Sequence, residues 1–250
     1  MWRKCSRSYL SESGLLERRH NFVPTPIRCG LALVSEISSV FLKFGANPMT
    51  RRTYRDLLAN HVRRWDTIVS FNYDTVFEHS LQRNRRWHYE GIEGRANSLP
   101  VLKPHGSANW TDGAKISVED APAHAVIVAP THLKFIETSG TDGSGGAPGY
   151  LDQSPQIQDV WARMEQEMRR ARALVFIGYS FPAADLYFSS VLRSVLATGD
   201  RNPAIVIVNP DAIAIEDRLR LRFRVDTFDR YFDLGMFIQT RRGQILDRIS

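Results

Sequence analysis

Apolar residues recur along this chain at two different periods, and the change from one to the other divides it. Leu31, Val34, Ile37, Phe41 and Phe44 return at steps of three and four, which predicts a helix over residues 31–44. Gly45-Ala46-Asn47-Pro48 ends it, and Thr50 is placed to cap a second helix reaching about residue 64. Beyond Thr67 the pattern becomes one of short aliphatic runs. Residues 67–71, 99–102, 125–128, 174–177 and 204–208 have the length and β-branched content of buried strands, and 224–228 predicts a last short one. Helical patterns fill the intervals at 74–82, 182–196 and 212–221. The clearest has Ile157, Val160, Trp161, Met164, Met168 and Ala171 on one face, a core stripe rather than a cofactor box.

Strand, helix and strand joined by short links predict an α/β fold, a parallel Rossmann-like sheet flanked by helices. The expected division is an N-terminal helical segment over 1–64 and one α/β unit over 65–250. Residues 139–149 (SGTDGSGGAPG) hold five glycines and a proline, which predicts a loop. There is no internal repeat.

Composition narrows the class further. No apolar run approaches the ~18–20 residues that cross a bilayer, and the basic start MWRKCSRSYL has no apolar stretch behind it. A cytoplasmic protein without membrane association is expected. Cys5 and Cys29 are too few for a four-cysteine zinc site, so no structural metal is expected. The net charge of +6 suits an anionic ligand, whether dinucleotide or nucleic acid. Much of the excess sits in two local runs, Arg83-Asn84-Arg85-Arg86-Trp87 and Arg218, Arg220, Arg222, Arg224. Such runs read first as solvated faces, with nucleic-acid contact as the alternative.

In open parallel sheets, ligands bind beyond the carboxyl ends of the strands. That rule selects residues here. Asn72, Tyr73 and Asp74 follow the first strand; Lys103, His105, Gly106 and Ser107 follow the second. Gly178, Tyr179 and Ser180 follow the strand at 174–177, and Asn209 follows the one at 204–208. Each has a structural alternative. Asn72, Asp74 and Asn209 are good helix caps, His105 suits a turn, and Gly178 with Ser180 suits an ordinary strand-to-helix turn. Their concentration at one predicted rim favours a site.

The blocks Ser70-Phe71-Asn72-Tyr73-Asp74 with Glu78, Lys103-Pro104-His105-Gly106-Ser107, Gly178-Tyr179-Ser180 with Asp185, and Val208-Asn209 occur in that order over residues 67–209. The ordered set resembles sirtuin-like domains, in particular the bacterial branch found in NAD-consuming antiphage defence proteins. The zinc module of the protein-deacylating sirtuins is absent, which favours NAD hydrolysis over deacylation.

The resemblance implies NAD as substrate and cleavage to nicotinamide and ADP-ribose. The leaving group already carries positive charge, so the site needs no strong acid; it must position a nucleophile, take a proton and tolerate spreading positive charge. By the same resemblance Asn72 orients the water or ribose and His105 is the general base, imidazoles ordinarily titrating at ~6.5. Asp74 holds the carboxamide, Gly178, Tyr179 and Ser180 line the phosphates and ribose, and Asn209 meets the adenosine ribose. Glu78 reads as structural.

One family feature is not found. A glycine-rich strand-turn-helix would cradle the pyrophosphate, yet the glycines before Asn72 are only Gly14, Gly30 and Gly45. The chain reads as starting after that region. Two lost charge-assisted hydrogen bonds would weaken binding by roughly 10²- to 10⁴-fold. An inactive remnant or sensor for an ADP-ribose-type ligand or partner protein is therefore the second expectation, and a basic nucleic-acid module the third. A homo-oligomer or a partner defence protein stays open.

Overall fold

The computed structural model describes residues 41, 48–81, 86–93, 97–120, 122, 125–128, 135–136, 149–150, 154–198, 203–223, 225, 227–240 and 242–248. The expected helix at 31–44 lies outside these residues except for Phe41, which is helical. Gly14, Gly30, Cys5, Cys29 and nearly all of the loop at 139–149 also lie outside them.

Helix α1 (Pro48–His61) leads into strand β1 (Ile68–Val69) and the short helix α2 (Val76–Ser80). Strands β2 (Trp87–Tyr89), β3 (Leu99–Leu102), β4 (Gly106–Thr111), β5 (Ser117–Val118) and β6 (Ala125–Ile127) follow, then the small pair β7 (Phe135–Ile136) and β8 (Gly149–Tyr150). Helix α3 (Pro155–Arg170), β9 (Ala173–Ile177), α4 (Leu186–Thr198), β10 (Ala204–Val208), α5 (Ala212–Phe223), β11 (Phe228–Tyr231), α6 (Leu234–Gln239) and α7 (Arg242–Arg248) complete the described fold.

Two parallel sheets carry the architecture. In one the order is β1-β3-β2; in the other β10 lies between β9 and β11. An antiparallel sheet, β5-β4-β6, is built directly onto the end of β3. The α/β expectation is met, with parallel strands and flanking helices. Strand β10 shows why: all five of its residues are buried, as a strand covered on both faces requires. Strand β9 has β10 on one side only among the described residues, and Val175 at its centre is 44% exposed.

Helix α3 buries Ile157, Val160, Trp161, Met164 and Met168, the stripe expected from its period, in the main core with Leu102, Val126, Phe188 and Leu192. Several boundaries differ from expectation: strand β1, expected over 67–71, is only Ile68–Val69, and the helix expected over 74–82 is Val76–Ser80. Helix α1 begins at Pro48, so Thr50 lies inside it; proline, with its fixed φ, suits a first helical position. Helix α4 begins at Leu186 rather than near Pro182, because Pro182–Asp185 is taken up by a turn in which the Asp185 amide donates to the Pro182 carbonyl at 3.1 Å. The last strand is Phe228–Tyr231, not 224–228. Val225 is buried by core packing, whereas the ladder to β10 starts at Phe228 opposite Ile205.

Helix α1 docks against the end of the chain. Leu57 packs with Val206, Val208, Tyr231, Phe237 and Ile245, and the His61 ring stacks on Phe237 at 4.4 Å. Arg242 grips Asp66 through two guanidinium nitrogens and also donates to the His61 carbonyl. Burial lowers the His61 pKa below its ordinary 6.5, with Arg242 and Arg63 adding to the effect against a hydrogen bond to the Ile238 carbonyl. The folded chain thus prefers the neutral ring. Its stabilising contribution is complete above pH 6.5 and is lost as pH falls through 6.5 toward the folded value. Thermal unfolding followed from about pH 7.5 to about 5.5 should show a falling midpoint. His61→Phe, which keeps the stack, should flatten that fall; an unchanged slope would assign it to other groups.

Among the described residues no helix is long and apolar enough to cross a membrane.

Candidate functional site

Strands β1 and β3 run parallel, with Val69 opposite Leu102. Asn72 stands three residues beyond Val69, and His105 three residues beyond Leu102. The strands that precede the two thus end in register. Asn72 is exposed, whereas His105 is buried at 4% exposure. Its ring is 5.0 Å from Phe71, 5.8 Å from Trp161 and 6.5 Å from Tyr73, centre to centre. Phe71 in turn stacks on Tyr179 at 5.1 Å and meets Phe188 edge-on at 4.9 Å. The ends of β1, β3 and β9 and the start of α4 thus converge on one aromatic cluster around the imidazole.

A carboxylate lies within it. Asp185 is 1% exposed, and its Oδ2 is 3.7 Å from His105 Nε2. The Tyr179 hydroxyl donates to the same oxygen at 2.8 Å, while Oδ1 faces the Phe188 amide at 3.4 Å at the start of α4. Burial, together with the Asp185 charge, pushes the Tyr73 phenol up to about 12 and raises that of Tyr179 further. Both phenols stay protonated at neutral pH. The Tyr73 hydroxyl donates to the Val128 carbonyl at 2.9 Å, and the Val128 amide donates to the His105 carbonyl at 2.8 Å.

The other positions divide. Asp74 Oδ1 accepts from the Val76 amide at 2.9 Å, and Asn209 Oδ1 accepts from the Asp211 amide at 2.9 Å. Each side chain closes the turn before a helix, a local structural role, although the cap position of α2 itself is Thr75 rather than Asp74. Gly178 and Asn209 stand side by side beyond the paired residues Ile177 and Val208, and the Gly178 amide donates to the Val208 carbonyl at 2.9 Å. Gly178 has φ +69°, and a Cβ there would meet nothing within 4 Å. The backbone is therefore open to a ligand at this point. Ser180 is exposed, and its carbonyl accepts from Arg218 at 3.1 Å. Gly178 and Ser180 are thus exposed, with the Gly178 amide and the Ser180 carbonyl already bonded within the fold. The imidazole–carboxylate pair is buried.

Two participants lay outside the expected set of site residues. Asp185 stands in the sequence reading as a member of its motif block, and Lys103 as a strand-end residue of its block with no role assigned. Trp87, grouped with the basic run, belongs instead to β2 and packs edge-on against Tyr89 at 5.0 Å.

The profile of the SIR2-like domain matches residues 66–227, well over half of the chain and every strand from β1 to β10. No curated protein matches the sequence. Proteins with this domain typically bind NAD. With its parallel strands and the ordered strand-end residues inside the matched span, the chain belongs to the SIR2-like domain family.

Proposed function

We propose that the chain is an NAD glycohydrolase of the sirtuin-like type, releasing nicotinamide and ADP-ribose, with a role in antiphage defence that rests on the resemblance alone. The observation that carries the reaction is the arrangement at the ends of β1 and β3. An exposed amide, Asn72, and a buried imidazole, His105, each follow by three residues the paired ends of adjacent parallel strands, and a buried carboxylate stands 3.7 Å from that imidazole. Asn72 orients the attacking water or ribose hydroxyl, His105 takes its proton, and Asp185 orients the ring. The exposed Gly178–Ser180 turn, with no side chain at Gly178 to obstruct approach, lies along the ribose portion. Asp74 contributes through Oδ2 and Asn209 through its Nδ2 amide, the atoms left outside the turn-closing bonds.

Purified protein incubated with NAD should release nicotinamide. Asn72→Ala should lower the rate roughly 10²-fold, the size of a positioning loss, with little change in thermal midpoint. No release by the wild-type chain would retire the enzymatic reading.

The coverage of His105 by Phe71 and Trp161 favours one second reading, a sensor that binds ADP-ribose-type ligands without turnover. Calorimetry with ADP-ribose alongside the turnover assay separates the two.

A further inference from the structure

We propose that Lys103 and Glu78 form a buried positioning pair that locks the Asn72–Asp74 turn to the His105 loop. The proposal rests on reading those two segments as the reacting site. Lys103 has no exposed side-chain surface, and Glu78 has 4%. The lysine Nζ donates to Glu78 Oε1 at 3.0 Å and also to the main-chain carbonyl of Asp74. Along the chain, Lys103 stands two residues before His105 and Asp74 two residues after Asn72. One ammonium group thus bridges the two segments at the same remove from each proposed reacting residue.

The rest of the network serves the same connection. The Tyr89 hydroxyl donates to Glu78 Oε1 at 3.1 Å, which ties β2 to α2, and Asn109 Nδ2 donates to the Tyr89 oxygen at 3.2 Å. Ser107 Oγ donates to Asn109 Oδ1 at 2.6 Å, and the Ala108 amide donates to the Tyr73 carbonyl at 2.8 Å. Strand β4, continuous with the His105 loop, therefore holds the Asn72 turn at Tyr73, while Lys103 holds it at Asp74.

Removing an ion pair from water costs more than packing apolar groups of similar volume, so stability alone gives little reason to keep one here. A backbone carbonyl held by a cation, however, has its position fixed in a way that an apolar side chain cannot reproduce.

The test uses Lys103→Met, Glu78→Gln and the double variant. Lys103→Met alone strands a buried carboxylate and is expected to unfold readily. The double variant removes both charges, keeps an oxygen for Tyr89, and should melt within about 5 °C of wild type. A positioning role predicts that its kcat for nicotinamide release stays about tenfold or more below wild type, with KM within about twofold. Return of kcat together with the midpoint would overturn the proposal.

Hydrogen exchange at the Ala108 amide gives a readout that needs no turnover. Protection there should fall in the double variant while that of Ile205, in the other parallel sheet, is kept. Unchanged protection at Ala108 overturns the positioning role even if the wild-type chain cleaves NAD. Lost protection in a chain that does not cleave NAD supports the lock and sinks only the enzymatic reading.

Discussion

Gly106→Ala is expected to cost on the order of 3–5 kcal/mol of stability, a large share of the ~5–15 kcal/mol typical of a domain. Gly106 is the first residue of β4 and has φ +81°. A Cβ built there would lie 2.1 Å from the Val126 carbonyl oxygen and 2.9 Å from its carbon. Those atoms belong to the backbone of the paired strand β6, which cannot turn aside as a flexible side chain would. The strand must move, and with it the Val128 amide that donates to the His105 carbonyl. The same substitution at Gly178 makes the control. Its φ of +69° is also left-handed, but open space surrounds the missing Cβ, so only the conformational penalty of ~1–2 kcal/mol applies. Urea unfolding of the two variants should show Gly106→Ala losing at least twice as much as Gly178→Ala. Equal losses would mean that β6 yields freely and that close packing does not fix the His105 loop.

The parts of the fold that could be read from residue order are those governed by local periodicity. Strands β3 and β10 fall at their expected bounds, because each is a short, largely apolar run with a turn-forming residue, Pro104 or Asn209, soon after it, and α3 buries the stripe that its period marks. The departures have tertiary causes. Phe181 adopts φ +53°, and the chain from Gly178 to Asp185 follows a path governed by the Tyr179–Asp185 hydrogen bond. No local propensity encodes that bond. Trp87-His88-Tyr89 forms a parallel strand through pairing with Leu99–Val101, although its flanking arginines mark it as surface.

The candidate site divides in the same way. Positions at strand ends were legible, because β1 and β3 pair in register and end just ahead of Asn72 and His105. Whether a polar residue there serves local structure or faces a ligand was left open, and Asp74 and Asn209 each close the turn ahead of a helix, with Thr75 rather than Asp74 at the cap position of α2. The neighbour of His105 was hidden, because Asp185 lies in a distant segment and reaches the imidazole only when β3 and α4 pack. Lys103 was hidden for another reason: a lysine destined for full burial looks, in sequence, like any surface lysine.

His105→Ala is expected to lower nicotinamide release by about 10²- to 10⁴-fold, the range associated with loss of a general base. The imidazole is held from two sides. Phe71 and Trp161 confine its plane, and Asp185 sets the charge beside Nε2. Truncation removes the proton acceptor and leaves a space the size of the ring, so part of the effect could come from local collapse. Two comparisons separate chemistry from collapse. Free imidazole added to His105→Ala should restore a measurable part of the rate if the vacated space accepts it as a base; a collapsed wall would show no rescue. Asp185→Asn keeps an oxygen for the Tyr179 hydroxyl but removes the charge beside the ring, so its rate should fall less than that of His105→Ala. A loss in Asp185→Asn equal to that in His105→Ala, with no imidazole rescue, would make the histidine part of the aromatic packing rather than the base.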